Sequence, residues 1–193
     1  MRRIEKYYEN TKNALPHKNV KEFIKLEKKV GKAIDLGCGA GRDTVFLIKN
    51  NWNVLAIDRE NIKEIIYNKL NEKEKNRFRF ICQSFEEIEL EKNDLIVAHY
   101  SIPFCSKENF NDFWIKIVES INKNGYFVGN FFGVNDSWYN EKENVLFLSK
   151  EQVLKLFESF QLLKFQEVEK NEKTGLGQIK HWHTFEIIAK KKY

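Results

Sequence analysis

The chain has 193 residues, 42% of them hydrophobic and 32% charged, with a formal net charge of +5 at pH 7, which fits one α/β domain spanning residues 1–193 and leaves too little length for two ordinary ones. No stretch approaches the roughly 20 apolar residues of a membrane span, and Met1-Arg2-Arg3-Ile4-Glu5-Lys6 lacks the apolar core of a signal peptide, so a cytoplasmic protein is expected. Lysines alternate with glutamates almost everywhere, and only Lys190-Lys191-Lys192 runs unbroken; the positive charge reads as a solvated surface, and no nucleic-acid partner is expected.

In chain order, residues 2–13 and 19–29 read as amphipathic helices punctuated by Pro16. The second places Val20, Phe23, Ile24 and Leu26 on or near one face, so residues 1–30 are expected to cap whatever site follows. Lys32-Ala33-Ile34-Asp35-Leu36 reads as a buried parallel strand, and Gly37-Cys38-Gly39-Ala40-Gly41-Arg42 as a tight turn into a helix over 43–50. Glycines at every second position let a ligand approach backbone amides, and the order strand, glycine turn, helix is that of a nucleotide-binding corner. The spacing is neither Gly-x-Gly-x-x-Gly nor a Gly-Lys-Ser/Thr phosphate loop. Asp58 closes the next strand, 53–57, where a carboxylate can accept both hydroxyls of a ribose.

Alternation continues through a helix at 61–74, a strand at 78–82, a short acidic turn from Ser84, a strand at 94–98, a helix at 107–122 and a strand at 126–132. A helix at 150–159, a strand at 162–169, a polar loop containing Gly175 and Gly177, and a strand at 182–189 complete the chain. Three cysteines, Cys38, Cys82 and Cys105, are too few and too uneven for a disulfide framework or a zinc ribbon, and no metal is expected.

Ile-Asp-Leu-Gly-Cys-Gly-Ala-Gly-Arg, with Ala-Ile-Asp after it, resembles motif I and the second-strand acid of the class I S-adenosylmethionine-dependent methyltransferases. The resemblance covers essentially the whole chain. It implies an α/β fold with a Rossmann-like seven-stranded sheet, mostly parallel with the last strand antiparallel, and helices on both faces. It also implies S-adenosyl-L-methionine as cofactor and S-adenosyl-L-homocysteine as product. Asp35, Gly37, Cys38, Gly39, Gly41, Arg42, Asp58 and Arg59 are then expected around the cofactor, with Gln83 or Ser84 reading adenine and Phe85 covering the ring. In small methyltransferases of this kind Tyr-Tyr-Glu-x-Thr lies near the cofactor; Tyr7, Tyr8 and Thr11 match it, although plain helix packing would use the same residues.

The position after the fourth strand, His99-Tyr100-Ser101-Ile102-Pro103-Phe104-Cys105, lies between cofactor and acceptor in this family. Base-modifying amino-methyltransferases carry Asn/Asp-Pro-Pro-aromatic there, and the departure here argues against a nucleic-acid base as acceptor. Where the acceptor must lose a proton, His99 and His183 are the candidate catalytic residues; His181 shares a strand face with His183. Lys180-His181-Trp182-His183-Thr184-Phe185 resembles a stretch of the compact tellurite-resistance-like and small-molecule methyltransferases. Paired histidines can also ligate a metal, but no third ligand is visible at a suitable spacing. The loop Gly133-Val134-Asn135-Asp136-Ser137-Trp138-Tyr139-Asn140 suits a lid or substrate wall. The expected function is methyl transfer to a small molecule by a monomer or homodimer, with an RNA or protein methyltransferase, or a non-catalytic cofactor-binding module, as the alternatives.

Overall fold

The computed structural model describes residues 2–193. The alternating apolar runs become a twisted sheet with strand order β3-β2-β1-β4-β5-β8-β7, where β1 is Lys32–Leu36, β2 Asn53–Asp58, β3 Phe78–Cys82, β4 Asn93–Ala98, β5 Ile121–Gly133, β7 Phe160–Lys173 and β8 Ile179–Lys191. Neighbours from β3 through β5 run parallel, and β8 lies antiparallel between β5 and β7. A two-residue strand β6, Phe147–Leu148, adds an eighth member at the end of β5. It is too short to leave a period-two trace in the sequence.

Period-two alternation sends Ile34, Leu36, Ile57, Ile96 and Phe127 to one face, under α6 (Phe110–Ser120) and α7 (Lys150–Leu156). Ala33, Val54, Ala56, Leu95, Val97 and Val128 face the other way, under α2 (Lys18–Leu26) and α3 (Arg42–Lys49). Val20 and Phe23 of α2 are fully buried there with Ile24 packed partly against them, so the second helix docks by part of the expected stripe, while Leu26 is 58% exposed. The first helix, α1 (Arg3–Thr11), lies beyond it.

Three expected elements differ markedly in extent. The predicted helix over 61–74 is two short ones, α4 (Lys63–Tyr67) and α5 (Glu72–Lys75). Asn71 ends the continuity because its side chain caps the Glu74 amide at 3.0 Å, an interaction available only outside a helix interior. The last two strands reach well beyond the predicted 162–169 and 182–189 and shrink the polar loop to a tight turn. There Thr174 N–H donates to Gln178 O and Gly177 N–H to Thr174 O, both at 2.8 Å.

β1 pairs with β2 on one side and β4 on the other, so the chain reverses its direction of travel between β1 and β4. Open α/β sheets bind ligands outside the carboxyl ends of strands at such a switch. The 3-10 turn after β4, Ile102–Phe104, lies at the same edge as the loop after β5 and is tied to it by Leu146 N–H donating to Pro103 O at 2.7 Å.

Candidate active site

A narrow cleft opens at the switch point, lined by Tyr7 and Thr11 of α1, Asp35, the turn from Gly37 to Ala40, Arg42 and Asp43 of α3, and His99 and Tyr100 after β4. Gly37, Gly39 and Gly41 have φ of 64°, 53° and 79°, the left-handed region that L side chains avoid. Around Gly39 a Cβ would meet only Tyr8 Cε1, at 3.9 Å, so its lack of a side chain keeps the floor of the cleft open rather than relieving a packed contact. The Gly39 amide donates to Asp58 Oδ2 at 2.9 Å. The Tyr8 hydroxyl donates to Asp58 Oδ1 at 2.9 Å, as does the Glu60 amide at 3.1 Å. The acid at the end of β2 is thus tied to the glycine turn and to the N-terminal helix together.

Asp35 points toward α3 and accepts from the Thr44 hydroxyl at 2.6 Å. Burial, reinforced by the charge of Asp43, holds its carboxyl well above the usual carboxylate range. For Asp43 burial acts in the same sense, but the hydrogen bond and charge of His99, with Arg42 and the His17 amide, outweigh it and leave the acid lowered. Asp43 Oδ1 accepts from the His17 amide at 2.7 Å, and its Oδ2 lies 3.0 Å from His99 Nδ1. A carboxylate can only accept, so in the neutral imidazole Nδ1 carries the proton and His99 Nε2 is left with the lone pair. That nitrogen is buried and has no partner.

The other site histidines are committed. His17 caps α2, its Nδ1 accepting from the Asn19 amide at 3.2 Å; the proton on Nε2 then faces Glu186 Oε2 at 3.5 Å. Its ring stacks on His99 with centroids 3.8 Å apart. Burial pushes its pKa far below the ordinary histidine value, reinforced by His99. His17, His99 and Glu186 converge with donor atoms within 4.8 Å of one another, as do Glu167, Glu169 and His183. In both groups a histidine Nδ1 already accepts a backbone N–H, so its Nε2 holds the proton and faces the acid, hydrogen-bonded to Glu167 at 3.1 Å in His183 and 3.5 Å from Glu186 in His17. For His183 the partners are the Asn135 amide at 3.0 Å and Glu167 Oε1 at 3.1 Å. Its imidazole lies against Gly133, where a Cβ would come within 2.3 Å of the ring.

The structure brings Asp35, Gly37, Cys38, Gly39, Arg42, His99, Tyr7 and Thr11 to one cleft, with Tyr8 and Asp58 directly beneath and Gly41 starting α3. Phe85 stacks on Phe113 at 4.8 Å with its Cζ 3.4 Å from where a Gly37 Cβ would lie. Ser84 is half-buried beside it, whereas Arg59 is exposed and uses its carbonyl to accept from Cys82 Sγ at 3.5 Å. Gln83 spends its side-chain amide on Glu87 O at 3.2 Å. His183 stands at the β5 loop instead, with both ring nitrogens engaged. Sequence reasoning missed Asp43 and His17, although Asp43 in the first turn of a helix that leaves the glycine turn was open to inspection.

A sequence model of the family described as "Tellurite resistance protein TehB" matches residues 1–175. No curated protein matches the sequence. Among solved structures, TehB from Haemophilus influenzae superposes with a TM-score of 0.79 at 18% identity, covering 97% of this chain and 67% of that one. The 1,6-didemethyltoxoflavin-N1-methyltransferase of Burkholderia thailandensis, with bound 1,6-didemethyltoxoflavin and S-adenosylhomocysteine, gives 0.73 at 15% identity and covers 98% and 85%. The N-methyltransferase NodS of Bradyrhizobium japonicum, in complex with S-adenosylhomocysteine, gives 0.69 at 12% identity and covers 98% and 97%. With nine-tenths of its length matched and its glycine corner formed, this chain belongs to the TehB family, within the fold of the S-adenosylmethionine-dependent methyltransferases.

Proposed function

We propose that this protein transfers the methyl group of S-adenosylmethionine to a small-molecule acceptor in the cytoplasm, with His99 taking the acceptor's proton where one must leave. The observation that carries the reading is the cleft itself: it is narrow and lined by Tyr7 and Thr11 of α1 and by Tyr100, which suits a cofactor and a small acceptor. The didemethyltoxoflavin N1-methyltransferase that superposes on it, whose structure holds a small-molecule acceptor, supports the same class of acceptor.

The residues present fit the cofactor, because the open floor at Gly39 and the adjacent Asp58 carboxylate form a cradle for a ribose, and Phe85 offers a ring face beside it. When bound, the sulfonium supplies an activated methyl group. The protein's own part is then chiefly to hold the acceptor in line, an effect that supplies up to roughly 7 to 11 kcal/mol. Asp43 fixes the His99 tautomer and stabilises the imidazolium that forms when Nε2 takes a proton. Arg42, its guanidinium 5.8 Å from the centre of the Tyr100 ring, places a positive charge beside the acceptor as that proton leaves.

The test is a calorimetric titration with S-adenosylhomocysteine, with NAD as control, followed by transfer from methyl-labelled S-adenosylmethionine to a panel of small molecules and to total RNA. Micromolar binding of the homocysteine alone, with label in a small molecule, is expected. NAD binding would overturn the cofactor assignment, and label confined to RNA, with log affinity falling linearly against log salt, would overturn the acceptor class.

A further inference from the structure

Beyond the cleft, the same sheet edge carries an array of aromatic rings that methyl transfer in general does not require. Tyr100 starts it. Its φ of 54° lies in the left-handed region, an uncommon conformation for a bulky residue. The Tyr100 amide is held there by Asn130 Oδ1 at 2.7 Å, and the ring meets Trp182 edge-on at 5.4 Å. Trp182 continues to Trp138 at 5.6 Å, and both lean on Phe132, at 5.8 and 6.4 Å. Phe104 joins Phe132 edge-on at 6.0 Å and is 46% exposed. Only Phe132 is buried; Tyr100, Trp138 and Trp182 are half-buried.

This platform is fixed from beneath. Lys180, itself buried, puts its ammonium 4.1 Å from the Trp182 ring centre and 4.4 Å from that of Trp138, and it pairs with Asp136. Asp136 also accepts from the Trp138 amide at 2.9 Å and the His183 amide at 3.3 Å. The cation–π contacts and the ion pair hold both indoles in place, so a ligand that lands on them finds surface already ordered. The charge beneath is neutralised, and a cluster of half-buried rings with the exposed Phe104 beside a cleft is suited to hold a ligand.

We propose that the acceptor is a planar aromatic molecule whose ring stacks on Trp182 and meets Tyr100 edge-on, with its reacting substituent turned into the cleft toward His99. The inference rests on the small-molecule reading above and narrows it. Stacking on a preordered indole rewards a flat π-system over a saturated ring of the same size and apolarity.

Matched pairs separate the two contributions. With S-adenosylhomocysteine saturating, 2-naphthol and thiophenol would be titrated against decahydro-2-naphthol and cyclohexanethiol, read by calorimetry and tryptophan fluorescence. The aromatic member of each pair is expected to bind at least about tenfold more tightly. Trp182→Ala should abolish that preference and Trp182→Phe should retain most of it, with S-adenosylhomocysteine affinity unchanged in both as the measure of an intact fold. Equal binding within the pairs, no binding of either aromatic compound, or a preference that survives Trp182→Ala would overturn the inference. Label transferred to aliphatic but not aromatic acceptors would overturn it while leaving the small-molecule function standing. Aromatic binding at Trp182 with label passing only to RNA would overturn both.

Discussion

The glycine corner and the β5–β8 edge both carry polar groups at the carboxyl end of the sheet, yet they are built on different logic. At the corner, Asp35, the three glycines and Asp58 act through backbone conformation and one or two short hydrogen bonds, nearly all within a 24-residue stretch of sequence. At the edge, Asp136 and Lys180 are 44 residues apart, and Asn135 and His183 48 apart, so order comes from buried side chains that meet only after the sheet has formed. The corner is shaped to leave room for a ligand, whereas the edge is shaped to hold a loop. Substitutions at the edge should therefore cost stability, and substitutions at the corner should cost affinity.

The sharpest form of that contrast is Lys180→Met. The substitution leaves Asp136, whose side chain is fully buried, without its countercharge, and breaking one partner of a buried pair costs about 3 to 5 kcal/mol. The midpoint of urea unfolding should fall accordingly, while S-adenosylhomocysteine affinity, measured under conditions where the variant is folded, stays within twofold of the parent. A loss of affinity comparable to the loss of stability would mean that the two regions are one unit.

Asp58→Ala is the converse. Removing a charged acceptor should weaken S-adenosylhomocysteine binding by roughly 1.5 to 3 kcal/mol, about tenfold to more than a hundredfold. Some stability goes too, since the Gly39 and Glu60 amides and the Tyr8 hydroxyl lose their acceptor. Unchanged affinity in a calorimetric titration would remove Asp58 from the ribose.

The same contrast explains what could be read in advance. The corner was legible because its signals are local: positive-φ glycines at fixed spacing after an apolar run, and an acid at the end of the next strand. The parallel part of the sheet was legible because strands separated by helices leave a period in the chain, whereas the antiparallel β8 was implied only by the family resemblance. His183 illustrates the limit. Its i, i+2 relation to His181 was visible, but its engagement by Asn135 and Glu167 depends on Gly133 making room for the ring, a contact 50 residues away in sequence. Asp43 was hidden for a related reason: an acid in the first turn of a helix is usually read as a complement to the helix dipole. Only the folded chain shows it held between the His17 amide and His99.

A third prediction concerns the joint between the regions, where His17 links α2 to Asp43 and, through Glu186, to β8. Its folded pKa is depressed, so below the unfolded value near 6.5 the unfolded chain binds a proton that the native one refuses. Stability should therefore fall as pH drops, by about 1 kcal/mol between pH 6.5 and 5.5 from this group alone. Asp35 acts in the opposite sense, because its raised pKa makes the native state the better proton binder above the ordinary aspartate range. Urea titrations of the parent and His17→Asn across that interval isolate the histidine: the difference in slope belongs to His17, and parallel curves would show that it titrates normally in the fold.

The smallest expected effect is the most diagnostic for the N-terminal helix. Tyr8 reaches from α1 to Asp58, and its ring edge lies 3.9 Å from where a Gly39 Cβ would stand, so it either braces the acid or covers the ligand. Tyr8→Phe keeps the ring and removes one of the three hydrogen bonds to the Asp58 carboxylate, which retains the Gly39 and Glu60 amides. If the hydroxyl only braces the acid, S-adenosylhomocysteine affinity should fall by about 0.5 kcal/mol, two- to threefold, the low end for a net hydrogen bond. A tenfold loss would give the hydroxyl a direct contact with the cofactor. Because the same helix supplies Tyr7 and Thr11 to the roof of the cleft, that outcome would also make cofactor binding and closure of the acceptor site a single event.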